Sequence, residues 1–309
     1  MFPFGSRLAP PSQLPRPIPP FRGETTNSYL YRLAVANHVH PDDLRAHLTG
    51  TRRSASITVE NLAAATGRSA HGLSHALPEL RPGTTPDADP PMPAHVRRTI
   101  CWRCAVRRDA FVFAVTWKPA EVTLCPNHRI WLGLPWRSHR GRQYDVHDLP
   151  DILHAQRRHY RLARHYGRQT TADAFADAAH ITALWARHGL HDDRRKPLIR
   201  AFLGHNPLTG RLPSGDPITP VVTYPETVDL ARVLAMPGWR HPISRATKHD
   251  LRQFRRDIND HLRIRYRPQD NSRDPLLHWF QKRHAPRNPD PNRRCPSPPR
   301  RDVGWLDGH

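Results

Sequence analysis

Apolar residues recur every three or four positions through most of the chain, a spacing that predicts helices. In SYLYRLAVAN, Leu30, Leu33, Ala34 and Asn37 share one face of a helix that starts near Asn27. Pro41 sits where the first turn of a short helix tolerates proline, with Leu44 and Leu48 inward. In SITVENLAAATGRSAHGLSHAL, Thr58 can cap a helix running to about Thr66, with Leu62 and Ala65 inward. Gly67 suits a sharp turn, and Ser69 can cap a second helix with Leu73 and Leu77 inward. This spacing matches a helix-turn-helix, although a plain helical hairpin within a core would read similarly. The outward residues of the second helix are Ala70, His71, Ser74 and His75, with no Arg or Asn to read bases. Gly72 costs that helix about 1 kcal/mol relative to alanine, so it could equally dock a protein.

The pattern resumes after residue 149. DILHAQRRHYRLARHYG places Ile152, Leu153, Gln156, Tyr160 and Ala163 along one side. TADAFADAAHITALWARHG offers Phe175, Ala178, Ala179, Thr182 and Trp185 as a buried stripe. Residues 191–222 are rich in Pro and Gly and read as loop. TYPETVDLARVLAM is a helix with Pro225 near its start and Glu226 complementing its N-terminal dipole; Pro237 and Gly238 stop it. KHDLRQFRRDINDHLRIRY is the clearest amphipathic helix, with Leu251, Phe254, Ile258 and Leu262 inward. After Pro268 the chain is polar, basic and Pro-rich, and disorder is expected apart from a short PLLHWF element.

Elsewhere the helical period is absent. The first 23 residues are Pro-rich and should be extended, and residues 81–94 read as a linker. FVFAVTW and AEVTLC look like two short strands separated by Lys118-Pro119.

Composition narrows the function classes. The 309 residues carry 48 Lys+Arg against 27 Asp+Glu, a formal charge of +21. Only four of the basic residues are Lys, which suggests a GC-rich genome, yet that bias also raises Asp and does not explain the surplus. Such a surplus implies an anionic partner, above all nucleic acid. The arginines cluster: residues 137–168 hold eight against three aspartates. A solvated helix face is the plainer reading of that run. Five histidines in the same segment show no metal spacing. The longest clean apolar run, residues 110–115, is far short of the ~18–20 residues of a membrane span. The start lacks the apolar stretch of a standard signal peptide, so a cytoplasmic, nucleoid-associated protein is expected. Pro is 34 of 309 residues, about 11% against a usual ~5%. With so few apolar residues, roughly 200–240 residues can be ordered.

Cysteine use points to metal. Cys101, Cys104, Cys125 and His128 form a CxxC…CxxH set, while Cys295 lies in the basic tail as an idle thiol. A two-residue spacer folds as a tight knuckle that aims both side chains at one point, and two knuckles close a tetrahedral zinc shell. Four protein ligands leave no open position, so one structural zinc rather than a catalytic one is expected. In a segment this poor in apolar residues, metal supplies folding free energy that a core cannot.

Taken together these pieces resemble the TniQ family of transposition proteins. The likeness covers about residues 1–150. It rests on LPRPIPPFRGETTNSYLYRLAVANHV, with Glu24-Thr25 before Ser28-Tyr29-Leu30, then the LAAATG helix pair, then CWRC…W…VTLCPNHRIWL. LHAQRRHYRLARHYG and TYPETVDLARVLAMPGW are similar to the less diagnostic C-terminal halves of actinobacterial TniQ-domain proteins. The resemblance implies target selection for a transposon by a protein with no catalytic activity. Such a protein binds target DNA or an RNA-guided complex, often as a homodimer, and recruits an AAA+ ATPase that activates the transposase. It also implies that Cys101, Cys104, Cys125 and His128 hold zinc. Many members carry a further CPxC pair after the first site; LGLPWRSHRGRQYDV has no Cys, so one site is carried over.

The expected architecture is mainly α. Residues 1–95 are a Pro-rich lead and helix-turn-helix, 96–148 a small zinc-knuckle subdomain with short strands, 149–265 a helical C-terminal domain, and 266–309 a largely disordered basic tail. The expected function is a non-enzymatic DNA-binding adaptor in transposition, with no membrane partner; the alternative is a free-standing zinc-containing DNA-binding regulator. An enzyme is disfavoured by the absence of HExxH, of a phosphate-binding GxxxxGK[ST] loop and of clustered acidic pairs. The expected DNA contacts are Arg157, Arg158, Arg161 and Arg164, then Arg252, Arg255 and Arg256.

Overall fold

A computed structural model of the chain describes residues 11–50, 56–84, 91–108, 110, 114–133, 143–204, 209–241, 247–264, 266 and 274–284. The architecture is mainly helical, with two small antiparallel sheets. Among the described residues no helix is long and apolar enough to cross a membrane.

The first four helices are α1 (Thr26–Ala36), α2 (Pro41–Thr49), α3 (Val59–Thr66) and α4 (Ala70–Ala76). Their ends follow capping chemistry. Thr25, Thr58 and Ser69 side chains accept backbone N–H groups at the starts of α1, α3 and α4. Gly67, at φ +64°, makes the left-handed turn between α3 and α4, and a Cβ there would meet Gln13 at 2.7 Å. Leu30, Leu33, Leu44, Leu48, Leu62, Leu73 and Leu77 form one core, as their spacing predicts. Tyr29 joins them at the centre, whereas Asn37 stays half-buried and caps α1.

Residues 11–23 of the Pro-rich lead form an extended strap across these helices, and residues 1–10 lie outside the described residues. Leu14 N–H donates to the Ala65 carbonyl at 2.8 Å, and Tyr29 Oη donates to the Ile18 carbonyl at 2.8 Å. The strap ends at Glu24, which is fully buried. Its carboxylate accepts from Phe21 N–H (2.8 Å), Ser28 Oγ (2.9 Å) and Arg32 Nη1 (2.7 Å).

The strand expectation needs correcting. β1 (His95–Thr99) pairs with β2 (Val115–Pro119), so Lys118-Pro119 belongs to a strand instead of separating two. The proline closes the end of β2, where it removes no needed donor. Of AEVTLC, only Leu124 forms a bridge, to Trp131. Between β1 and β2 lies α5 (Trp102–Val106); β3 (Ile130–Trp131) and β4 (Tyr144–Asp145) make the second sheet.

The C-terminal half is built on α6 (Pro150–Tyr166), α7 (Arg168–His188), α8 (Lys196–Leu203), α9 (Thr219–Val222), α10 (Tyr224–Leu234), α11 (Pro237–Arg240), α12 (Lys248–Leu262) and α13 (Pro275–His284). The inner face of α6 is rotated from the expected one. Ala155, His159 and Leu162 are buried beside Ile152, Gln156 and Ala163, while Leu153 and Tyr160 are half-buried. On α7, Ala174, Ile181 and Ala186 replace Phe175 and Ala179, which are half-buried. Both helices pack against α10, and the small alanines allow that approach. Residues 191–222 are not loop throughout, since α8 and α9 fall within them. Glu226 lies in the first turn of α10 as expected, but its charge is answered by Arg195 at 2.8 Å, both fully buried. α10 stops at Leu234, and Pro237 opens the short α11 instead of ending a helix. Phe254, Ile258 and Leu262 of α12 enter the core with Leu251 at its edge. PLLHWF forms most of α13, whose Leu276 and Phe280 join that core. Residues 285–309, with Cys295, lie outside the described residues, as do 85–90 of the expected linker.

Two outcomes follow. Leu73→Ala should cost about 2–5 kcal/mol of stability in denaturant melts, because Leu73 is fully buried between α3 and α4. The second concerns His159, whose burial lowers its pKa to about 3, with nearby Arg98 acting in the same direction. The unfolded imidazole titrates near 6.5, so its stabilising contribution is present above that pH and lost as pH falls towards 3. The drop in melting temperature between neutral and mildly acid pH should therefore be smaller in His159→Phe than in the parent chain.

Candidate metal centre

Cys101 stands at the N-terminal edge of α5 and Cys104 one turn further on, so the helical turn brings both thiols to one side. Backbone N–H groups of Arg103 and Cys104 point at the Cys101 sulfur. The second knuckle is a turn between Leu124 and β3. Cys125 N–H donates to the Ile130 carbonyl at 2.8 Å, and Arg129 N–H to the Cys125 carbonyl at 2.9 Å. Arg129 takes a left-handed conformation, φ +51°, which tightens the loop and turns His128 back towards Cys125.

All four ligand atoms lie within 4.8 Å of one another. His128 Nδ1 is 3.5 Å from Cys101 Sγ, 3.3 Å from Cys104 Sγ and 3.6 Å from Cys125 Sγ; Cys104 and Cys125 sulfurs are 3.7 Å apart. A tetrahedral ion with Zn–S and Zn–N bonds of ordinary length sets its ligands about 3.8 Å (S to S) and about 3.6 Å (S to N) apart. The cluster therefore fits a single tetrahedral metal ion, and all four residues singled out by spacing meet there. Cys101 and Cys125 are buried; Cys104 and His128 are half-buried. Burial is the largest cause that pushes the Cys101 and Cys104 thiols up, Cys104 to about 12, with the neighbouring sulfurs adding to it. Three crowded thiolates are costly without a cation among them, so metal binding and thiol deprotonation go together.

The surroundings hold the knuckles in register. Gln143 Oε1 accepts from Trp102 N–H at 3.0 Å, and its Nε2 donates to the Ile100 carbonyl at 2.7 Å. Arg103 pairs with Asp145 of β4 at 3.1 Å. Ile130 and Leu132 pack beneath the ligands. A cavity of about 460 Å³ opens beside the site, lined by Arg22, Arg107, Arg108 and Lys118 among apolar neighbours.

The arginines expected to contact DNA divide. Arg158 and Arg161 line a groove with Arg232 of α10, and Arg164 lines another with Arg168 and Glu121. Arg157, Arg252 and Arg256 are exposed and Arg255 is half-buried. Arg137, Arg140 and Arg142 lie outside the described residues. Sequence reasoning missed Arg232, because it is the single basic residue of α10 and only the packing of α10 on α6 brings it to the others.

Metal analysis of the purified chain should find about one tetrahedrally held ion per molecule. Cys101→Ser should lose it and lower the melting temperature, while Cys295→Ser should change neither. Equal effects of the two substitutions would refute the assignment.

No curated protein and no solved structure matches the chain. The TniQ family model matches residues 15–132, a span that runs from the strap through α1–α4 and the sheet to the end of the second knuckle. TniQ proteins form a non-catalytic family that works in transposition complexes with DNA and ATPases. Residues 15–132, less than half of the chain, therefore carry the likeness to the TniQ family.

Proposed function

We propose that this chain is a non-enzymatic, DNA-binding adaptor that selects the target site of a transposon and recruits an AAA+ ATPase and its transposase. It would act as a homodimer at the bacterial nucleoid. The TniQ domain over residues 15–132 carries the reading. The formal charge of +21 supports a nucleic-acid partner.

The ion of the Cys101, Cys104, Cys125 and His128 cluster is zinc, in a structural role. Thiolate with imidazole suits zinc, and four protein ligands leave no position for a reacting water. This chain's own residues gather the knuckles and hold them against β4; the ion supplies the cross-link.

DNA is held mainly through its phosphates. The α3–α4 pair is read as a helix-turn-helix, but its second helix exposes His71, Gly72 and His75 and offers little to base edges. The basic faces of α6 and α12, with Arg157, Arg158, Arg161, Arg164, Arg252, Arg255 and Arg256, supply the phosphate contacts.

Affinity for a specific and a scrambled duplex should fall steeply with salt, each log–log slope being about −0.9 per phosphate neutralised. The two duplexes should differ far less than for a base-reading protein. Adding an AAA+ transposition ATPase with ATP should give a ternary complex by size-exclusion chromatography. A flat salt dependence on both duplexes would refute DNA binding, and a chain that binds DNA but retains no ATPase would favour a free-standing regulator.

A further inference from the structure

The arginines of α6 do not all face the same way, and two of them meet a third from a different helix. Arg158, Arg161 and His165 of α6 form one wall of a groove of about 350 Å³; Asp229 and Arg232 of α10 form the other. Leu162 and Val228, both buried, make an apolar floor. The groove lies wholly outside residues 15–132.

The charges in it are uneven. Among the described residues Asp229 is the only carboxylate lining the groove, and each of its oxygens has a cationic partner. Arg158 Nε stands 3.0 Å from Oδ1, and Arg194 Nη2 donates to Oδ2 at 3.0 Å. Asp229 thus stands between two cations, Arg158 and Arg194, and has no charge to spare. Arg161 and Arg232 are both exposed and form no ion pair with a described residue. Two unanswered guanidiniums across a groove repel each other, and an anion set between them removes the repulsion. Guanidinium groups suit oxyanions that accept two parallel hydrogen bonds, phosphate above all. The apolar floor suits the sugar beside that phosphate.

We infer that the α6–α10 groove seats a backbone phosphate of duplex DNA, gripped by Arg161 of α6 on one side and Arg232 of α10 on the other. This rests on the DNA-binding reading and adds a phosphate site outside the TniQ domain. It also separates Arg161 from Arg157 and Arg164 of α6, which do not line the groove.

The test uses the full-length chain and a fluorescently labelled duplex, titrated at several salt concentrations. Arg161→Gln and Arg232→Gln should each weaken binding and flatten the log–log salt slope by about 0.9, the share of one neutralised phosphate. Arg187→Gln removes the same charge from an exposed position on α7 and should leave the slope as in the parent chain. Because Arg161 and Arg232 are exposed, melting temperatures should stay unchanged and exclude misfolding. If the parent binds and the Arg161→Gln/Arg232→Gln double variant keeps its slope, the groove is overturned and DNA binding stands. If Arg187→Gln flattens the slope equally, the charge acts diffusely and the groove is overturned. If the parent shows no affinity for duplex DNA, the reading on which the groove rests fails first.

Discussion

A carboxylate sealed from water must have its charge answered on the spot, and Glu24 is where this chain meets that demand. Arg32 lies 2.7 Å away with almost no exposure, Phe21 N–H and Ser28 Oγ donate to the remaining lone pairs, and the Glu24 backbone bridges to Thr116 of β2. Burial raises the Glu24 pKa and Arg32 pulls it back down, so the pair is viable only while both partners stay in place. Breaking such a buried pair costs about 3–5 kcal/mol, because one charge is left without a partner. Glu24 therefore joins three elements through polar contacts: the strap, α1 and the sheet beside the Cys/His cluster. Glu79 repeats the device, accepting from Trp117 Nε1 at 2.7 Å and from Thr26 N–H at 2.8 Å.

The other side of the metal unit is fastened in the same way. Gln156 of α6 accepts from Thr123 Oγ1 at 2.5 Å and donates to the Glu121 carbonyl at 2.6 Å. Arg98 of β1 is buried and donates to the carbonyls of Gly133 and Ala120. Trp131 packs edge-on against Tyr224 of α10 at 5.0 Å, and Tyr224 faces His159. Each of these contacts starts from the short stretch that carries the knuckles. A metal ion held by that stretch would therefore stabilise the attachment of helices on both sides, beyond the few apolar residues directly beneath it.

What the sequence revealed and what it hid follow from the range of the interactions. Thr58, Gly67 and Ser69 act within four residues of themselves, and so do the two halves of each knuckle; these were legible one by one. Bringing the knuckles together needed only the chemistry of the donor set. β1 was missed because its inner residue is Arg98, and an arginine at a buried strand position breaks the alternation that marks a strand. The rotated face of α6 has the same cause: His159 reads as solvent-facing until Tyr224, distant in sequence, is seen to satisfy it. Arg195 and Glu226 are 31 residues apart and each reads as a surface charge, yet they form a fully buried pair. Hydrophobic period assigns polar residues to water by default, so polar pairs at the joints between elements are what it misses.

That default also distorts the meaning of the net charge. Arg32, Arg98 and Arg195 are buried and answer carboxylates or carbonyls inside the fold. Arg158, Arg168, Arg194 and Arg240 pair with Asp229, Glu121, Asp229 and Asp173. A count of basic residues treats these as equal to Arg161 or Arg232, although their charge is already answered within the molecule. The cations open to an external anion are those left after the internal pairs are removed. They are sparse enough on any one helix that position relative to a neighbouring helix decides which of them act together. An arginine-rich helix face is thus a poor guide to a binding site when read along one helix. The better guide is the place where unpaired guanidiniums from two helices converge around a carboxylate whose oxygens are already taken.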